Sequence, residues 1–531
     1  MNRRIRTRHA LTAAAAAASL AGAAALATPA RPGGPSFALL GSYATGLGGE
    51  SSGETAALQD GRMYVTSAEA NVLDIVDVSD PAAPVRTGRV DLAPYGSGVQ
   101  SVDATHGLVA VAVKAAVKTD PGRVVFLRPD GTFVTAVTVG ALPDMLAFSP
   151  DGKRLAVANE GEPNGYGRAD SVDPEGSVSI IDIRPARGRR PASVGDVRTA
   201  TFTAFNEGGD RHGELPAGVR LNGPGASVAQ DLEPEYVSWD DRGRTAYVTL
   251  QENNAVARVD ARTGRVKDIA ALGTIDRAAP GFGMDASDKD GGVNIANWPV
   301  RALPMPDGIA TFEYRGRTFY VTANEGDARD YDGFSDETRV KSLTLDPAAF
   351  PAAAMLQKDA NLGRLNVSAT DGRGPNGYVA LYAFGARSAS IRTADGTLVW
   401  DSGDAFERTV AAENPAAFNV DNTDNGVDGR SDNKGPEPEG VAVGRVGRGT
   451  YAFVGLERTG GFMVIDVTNP YAARVVNWVN NRDYAAEPAG PDSGPEIIRF
   501  IPGRGHRGGT VMVSNEITGT VSLYAAARVV R

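Results

Sequence analysis

The chain has 531 residues, with 54 Lys and Arg against 64 Asp and Glu, a formal charge of −10 and no cysteine. Such an acidic chain, without clustered positive charge, is unsuited to sequence-independent nucleic-acid binding. The missing cysteines exclude disulfides, thiolate metal sites and cysteine nucleophiles. At 42% hydrophobic it can bury a large core, and its 64 glycines and 32 prolines call for many turns and many short strands.

Met1–His9 is basic, carrying Arg3, Arg4, Arg6 and Arg8, and Ala10–Ala27 is an almost unbroken Ala/Leu run. Small residues up to Ala30 then offer cleavage sites, which completes the three-part pattern of a secretory signal peptide over residues 1–30. No later stretch reaches the roughly 20 apolar residues of a membrane span. The expectation is a secreted, extracellular protein with no membrane span, whose single domain covers residues 36–531.

One unit recurs seven times in that domain: an acid, a short apolar strand, a tight turn, a second apolar strand and a second acid. The opening positions are Glu54, Gln100, Asp144, Glu235, Asp307, Glu439 and Glu496. Asp60-Gly61, His106-Gly107 and Asp151-Gly152 place glycine where hairpin turns need positive φ. Third strands such as VLDIVDVSD and GFMVIDVTNP follow most units, and some continue into a fourth, such as RVKDIAAL. Four antiparallel strands repeated seven times predict an all-β, seven-bladed β-propeller. The seventh unit ends after its third strand, and the unattached strand Ser36–Gly46 would supply the missing one and close the ring. A bare blade needs ~40–45 residues. The excess predicts long loop insertions after blades 3, 4 and 5, at Arg184–Asp231, Gly273–Pro304 and Asp327–Pro436.

In a hairpin, the start of the first strand and the end of the second share one edge. The opening acids and the closing set Glu69, Glu160, Glu252, Glu325, Glu457 and Glu516 should therefore ring one mouth of the channel, with Lys114 the closing member of unit two. So many carboxylates cannot all stay ionised together without counter-charge, and Ca²⁺ bound by oxygen is the simplest remedy. Strand capping or pairing with arginine is the alternative. Three inserted loops carry spaced aspartates of their own: Asp285, Asp288, Asp290; Asp327, Asp330, Asp332, Asp336; and Asp421, Asp424, Asp428, Asp432. Solvated turns account for such loops equally well. The turn residues His106 and His506 and the inserted His212 leave no histidine at the acidic mouth for a zinc site or a Ser-His-Asp triad.

The segments TLQENNA, ASDKDGGVNIANWPV, TANEGDARDYDGF and RSDNKGPEPEGVAVG resemble the choice-of-anchor I domain family, from about Leu40 to Tyr524. Tyr64-Val65-Thr66, Tyr247-Val248-Thr249 and Tyr320-Val321-Thr322 resemble YVTN-class propeller repeats. The resemblance implies an exported bacterial protein related to mesenchyme-specific cell-surface glycoproteins of biomineralising animals. Some members are labelled alkaline phosphatases, which implies a metal-dependent phosphoester hydrolase acting on a small phosphorylated molecule. Lys341, Arg387, Arg430, Lys434, Arg458 and Arg482 would then be phosphate-side residues, chosen by motif position. The metal ligands would be Glu54, Asp144, Glu160, Glu235, Glu252, Asp307, Glu325, Glu439, Glu457, Glu496 and Glu516. A non-catalytic module binding calcium, extracellular matrix or mineral fits the same residues.

Overall fold

The computed structural model describes residues 34–47, 51–187, 190–486, 490–503 and 508–528. The predicted signal peptide and His506 lie outside the described residues. The chain is all-β and propeller-like, built on seven four-stranded antiparallel sheets. Each of the first six follows the repeat in order, beginning with sheet one at Ser52–Gln59, Arg62–Ser67, Val72–Asp77 and Val85–Asp91. The innermost strands of sheets two to six are Gly98–Thr105, Pro143–Phe148, Pro234–Trp239, Ile309–Tyr314 and Pro438–Val446. In sheet seven, Pro495–Pro502, Gly508–Asn515 and Thr520–Arg528 are completed by Pro35–Ala44, antiparallel to the third.

Burial explains why the first two strands of each unit were readable. Leu108–Val113 is buried at every position, whereas the outer strand Val85–Asp91 is mostly exposed. An inner strand is covered on both faces and reads as a continuous apolar run; an outer one needs no such pattern. Asp60 and Gly61 both adopt positive φ, 50° and 77°, as the two-residue hairpin turn requires. Apolar layers join successive sheets: Ala57 and Tyr64 with Val99 and Val111, and onward to Phe453 with Ile498. A last layer joins Met512, Val521 and Leu523 of sheet seven to Ala56, Met63 and Val65 of sheet one, so the succession returns on itself.

The insertions differ from their predicted places. Ser193–Thr201 is the fourth strand of sheet three, so Arg184–Asp231 is only partly insertion. Much of the insertion expected after blade 5, Asp327–Pro436, lies inside sheet five, between its second strand Arg317–Asn324 and its third, Ser388–Thr393. The segment TLVWDSG contributes that sheet's fourth strand, Leu398–Asp401, and only the connection beyond it follows the sheet. The segment YVALYAFG supplies Tyr382–Phe384 to a separate five-stranded side sheet. That sheet draws Ile275–Asp276 and Arg301–Leu303 from one insertion, and Glu337–Arg339 and Asn366–Ser368 from the next. Its own apolar cluster includes Val340, Phe350, Leu362 and Leu365.

Candidate functional site

Six of the seven inner strands begin with an irregularity that sets up the site. In five sheets the register shifts just after the first cross-strand pair, as between Pro143 and Leu146 or Pro438 and Val441, and in sheet two after the second, between Val99 and Val102. The opening residue sits in this bulge, two positions before the next regular pair, and a bulge re-aims the side chain it carries. In sheet five Asp307 holds the same place, two residues before Ile309. All six opening acids and Gln100 consequently line one cavity of about 230 Å³.

Glu160, Glu252 and Glu325 of the closing set line it as well, joined by Glu162 and Asp327. Met145, Tyr236 and Ile497 are among the other lining residues. Glu457 sits with Glu325 and Glu437, their carboxylate oxygens within 4.8 Å of one another. Glu516 lies close enough to Glu54 and Glu496 to raise both. Glu69 is the exception. Its strand ends at Ser67, which pairs with Ser52, so Glu69 falls in the following turn and is exposed.

Burial dominates the electrostatics. It drives Asp144 up to about 6 and Glu252 up to about 7. It drives Glu54, Glu160, Glu235, Asp307, Glu439, Glu457 and Glu496 well above the ordinary carboxylate range, neighbouring carboxylates adding to the effect. Lys114 opposes this at Glu54 and Asp144, as its closing position in unit two implied. Buried oxygens of Glu54, Gln100, Glu252 and Glu439 have no hydrogen-bond partner among the described residues. Hard oxygen donors without protein partners are what Ca²⁺ requires. Ligand oxygens of Asp307, Glu325 and Glu439 lie within 4.8 Å of one another, a separation compatible with Ca–O distances of roughly 2.3–2.6 Å about one ion. The residues present fit the ion.

The basic residues divide. Lys434 Nζ reaches Glu325 at 3.0 Å, Asp327 at 3.1 Å and Glu437 at 3.2 Å. Arg458 holds Glu437 at 3.1 Å and Glu457 at 3.2 Å, and Arg430 grips Glu437. Burial alone would raise Glu437, but Lys434, Arg430 and Arg458 outweigh it and hold the carboxyl far below the usual range. The other three candidates are engaged elsewhere. Arg387 binds Glu407 at 2.8 Å and the carbonyls of Ser431 and Asn433. Arg482 donates to the carbonyls of Arg458 and Asp421, and Lys341 forms an exposed pair with Asp359. Among the inserted-loop acids, Asp288 and Asp432 share Arg364, Asp332 pairs with Arg168 and Asp336 with Arg220.

Two tripeptides held a signal that spacing alone did not carry. Glu233-Pro234-Glu235 and Glu437-Pro438-Glu439 each place one acid on either side of a strand-opening proline. The second acid lines the cavity, while the first is fully buried against arginine or lysine. Arg329, itself buried, binds Asp231 and Glu233, each at 2.8 Å. A proline also precedes the opening acid at Asp144, Asp307 and Glu496.

The class is therefore an all-β, propeller-like protein with an acidic cavity at the shared edge of its inner hairpins. A family model for the choice-of-anchor I domain matches residues 55–470, and the chain belongs to that family. The mesenchyme-specific cell surface glycoprotein of Strongylocentrotus purpuratus is 30% identical over 295 residues, 48% of this chain and 38% of that protein. Gigasin-3a of Magallana gigas is 41% identical over 114 residues, 20% of this chain and 39% of that protein. The chain thus spans about two fifths of the length of these relatives. Among solved structures, a streptogramin B lyase aligns with TM-score 0.45 and 10% identity, covering 92% of this chain and 98% of its own. Among the described residues no helix is long and apolar enough to cross a membrane.

Proposed function

We propose that the chain is a secreted calcium-binding module whose seven sheets close into a seven-bladed propeller, with the ion at the acidic mouth. The domain would run over 36–531 after removal of residues 1–30. Asp307, Glu325 and Glu439 would form the centre of the ion's ligand set, with Glu235 and Glu252 beside them. The observation that carries this reading is the unpartnered buried oxygen of Glu439, within a group of three carboxylates spaced for one cation. The name of one relative, a cell surface glycoprotein, supports an extracellular setting, in which a matrix or mineral surface would be the partner we propose. When bound, the ion would supply positive charge among the carboxylates and a point of attachment for an anionic partner.

Phosphoester hydrolysis is the second reading, favoured by Lys434 and Arg458 bordering the same acids. Against it, each of these cations is already held by carboxylates, and Lys341, Arg387 and Arg482 have partners away from the cavity. Titration calorimetry with CaCl₂ tests the first reading, and a phosphoester substrate panel with and without Ca²⁺ tests the second. Binding without turnover is the expected result; turnover that requires Ca²⁺ would establish the hydrolase. At a hundredfold excess over its dissociation constant the ion stabilises the fold by ~2.7 kcal/mol, so Ca²⁺ should raise the melting temperature and chelation should lower it. Glu439→Gln should blunt that response. Asp151→Asn, in a turn that binds Ser149 and Lys153 at the opposite end of its hairpin, should leave it intact. A wild-type protein that takes up no Ca²⁺ would reduce the acid ring to a structural device.

A further inference from the structure

Three carboxylates at ion-binding distance from one another occur twice at this mouth. Asp307, Glu325 and Glu439 form one group; Glu325, Glu437 and Glu457 form the other, and Glu325 belongs to both. The groups differ in what already sits on them. The first includes the partnerless oxygen of Glu439. In the second, Arg430 and Arg458 hold Glu437 and Arg458 reaches Glu457 at 3.2 Å, while the ammonium of Lys434 bridges Glu325 at 3.0 Å to Glu437 at 3.2 Å and also touches Asp327 at 3.1 Å. Its side chain is only 8% exposed. It arrives there from the connection between sheets five and six, held by a turn in which the Gly435 N–H donates to the carbonyl of Arg430. Gly435 adopts φ +63° in that turn, and a Cβ there would stand 3.0 Å from the Arg387 side chain. The lysine is therefore placed by a built turn rather than by a free surface arm.

We propose that Lys434 acts with Arg430 and Arg458 as the protein's own positive charge at the second three-carboxylate position, and that Lys434, the one that reaches the shared Glu325, sets how many ions the mouth takes and how tightly. This inference rests on the cation-binding reading for its effect on the first group, but not for its effect on the second. A point ammonium with three donors substitutes well for a metal ion among carboxylates, since both satisfy oxygen acceptors with concentrated positive charge. Because Glu325 is shared, that ammonium also stands close to any ion on the first group and repels it in a partly desolvated site, where such repulsion is weakly screened. Lys434 thus keeps the mouth to one cation-filled group supplied by the chain and one left for an exogenous ion.

The test is calcium stoichiometry on the full chain, by equilibrium dialysis and titration calorimetry with CaCl₂. Lys434→Met keeps the apolar stem and removes the charge. It should bind one more Ca²⁺ than the wild type and bind the first at least about tenfold more tightly, as expected when a neighbouring like charge is removed. Lys434→Arg, which keeps the charge, should retain the wild-type count. Unchanged count and affinity in Lys434→Met would overturn the proposal. A wild type that binds no Ca²⁺ while Lys434→Met binds one would overturn the cation reading of the first group and uphold the role of Lys434. Should Lys434→Met fold only in the presence of Ca²⁺, the ion has replaced the ammonium, and the proposal stands. Should it fold under neither condition, Glu437→Gln in the wild-type background decides. With Lys434 already filling that group, the ion count should not change; a lost ion would overturn the proposal.

Discussion

A chain beginning at Gly48 should lose cooperative unfolding and aggregate, whereas one that keeps Pro35–Ala44 should melt in a single transition. The segment pairs with the last strand along its length, from Pro35 opposite Arg528 to Ala44 opposite Thr520. Phe37 is 1% exposed and meets the rings of Phe453 and Phe462 edge-on at 5.9 and 5.7 Å. Tyr43 donates to Asp74 of sheet one at 2.6 Å, so this strand ties sheet seven to its neighbour as well as completing it. Removing a core phenylalanine alone costs about 3–5 kcal/mol, a large share of the roughly 5–15 kcal/mol typical of a folded domain. The deletion also bares Thr520–Arg528 as an unpaired edge, a template for intermolecular pairing. Calorimetry and light scattering read the outcome. A truncated protein that melts as sharply and as high as the longer one would remove the closing role from this strand.

What was legible in the sequence follows from the range of the interaction concerned. Inner hairpins are local: apolar runs joined by a glycine turn fix both strands and, with them, the end at which the acids gather. The count of residues past the strand is less secure, and Glu69 fails on it by lying beyond Ser67 while Glu160 directly follows Asn159. Outer strands such as Ser193–Thr201 are mostly polar and half-exposed, so nothing in their composition separates them from a loop. The side sheet is assembled from strands of two or three residues, too short to show any period. Ion-pair partners are the least local of all. Lys434 meets Glu325 across 109 residues, and no spacing rule in either segment announces the contact. The acid ring and Lys114 were readable because a repeat carries them; the partners of Arg430 and Lys434 were not, because an insertion carries those two residues.

Stripped of divalent cations, the protein should be more stable near pH 5 than near pH 8, and saturating Ca²⁺ should abolish that difference. Asp144 rises from an ordinary 3.8 to about 6 and Glu252 from 4.5 to about 7, both chiefly through burial. A carboxyl whose folded-state pKa is raised binds its proton more tightly folded than unfolded. Its favourable contribution is therefore present at low pH and is lost as the pH climbs from the unfolded value through the folded one. For these two groups the window runs from about pH 4 to about pH 7, each tenfold gain in proton affinity on folding being worth roughly 1.4 kcal/mol. Glu54, Glu235, Asp307, Glu439 and Glu496 move in the same direction and deepen the loss. Depressed carboxylates such as Glu437 act in the opposite sense, but only below the ordinary carboxylate range, outside this window. The nearby cations Lys434 and Arg458, held above their ordinary values by neighbouring carboxylates in spite of burial, stay charged throughout it and moderate the effect without reversing it. A bound divalent ion replaces the protons as counter-charge, so it should stabilise most where the carboxylates are ionised, above about pH 7. Melting curves in EGTA and in CaCl₂ at the two pH values measure both effects. Chelated protein whose stability is flat or rises between pH 5 and pH 8 would mean that these carboxylates are ionised in the fold without an ion, and that the chain's own cations suffice to hold the ring.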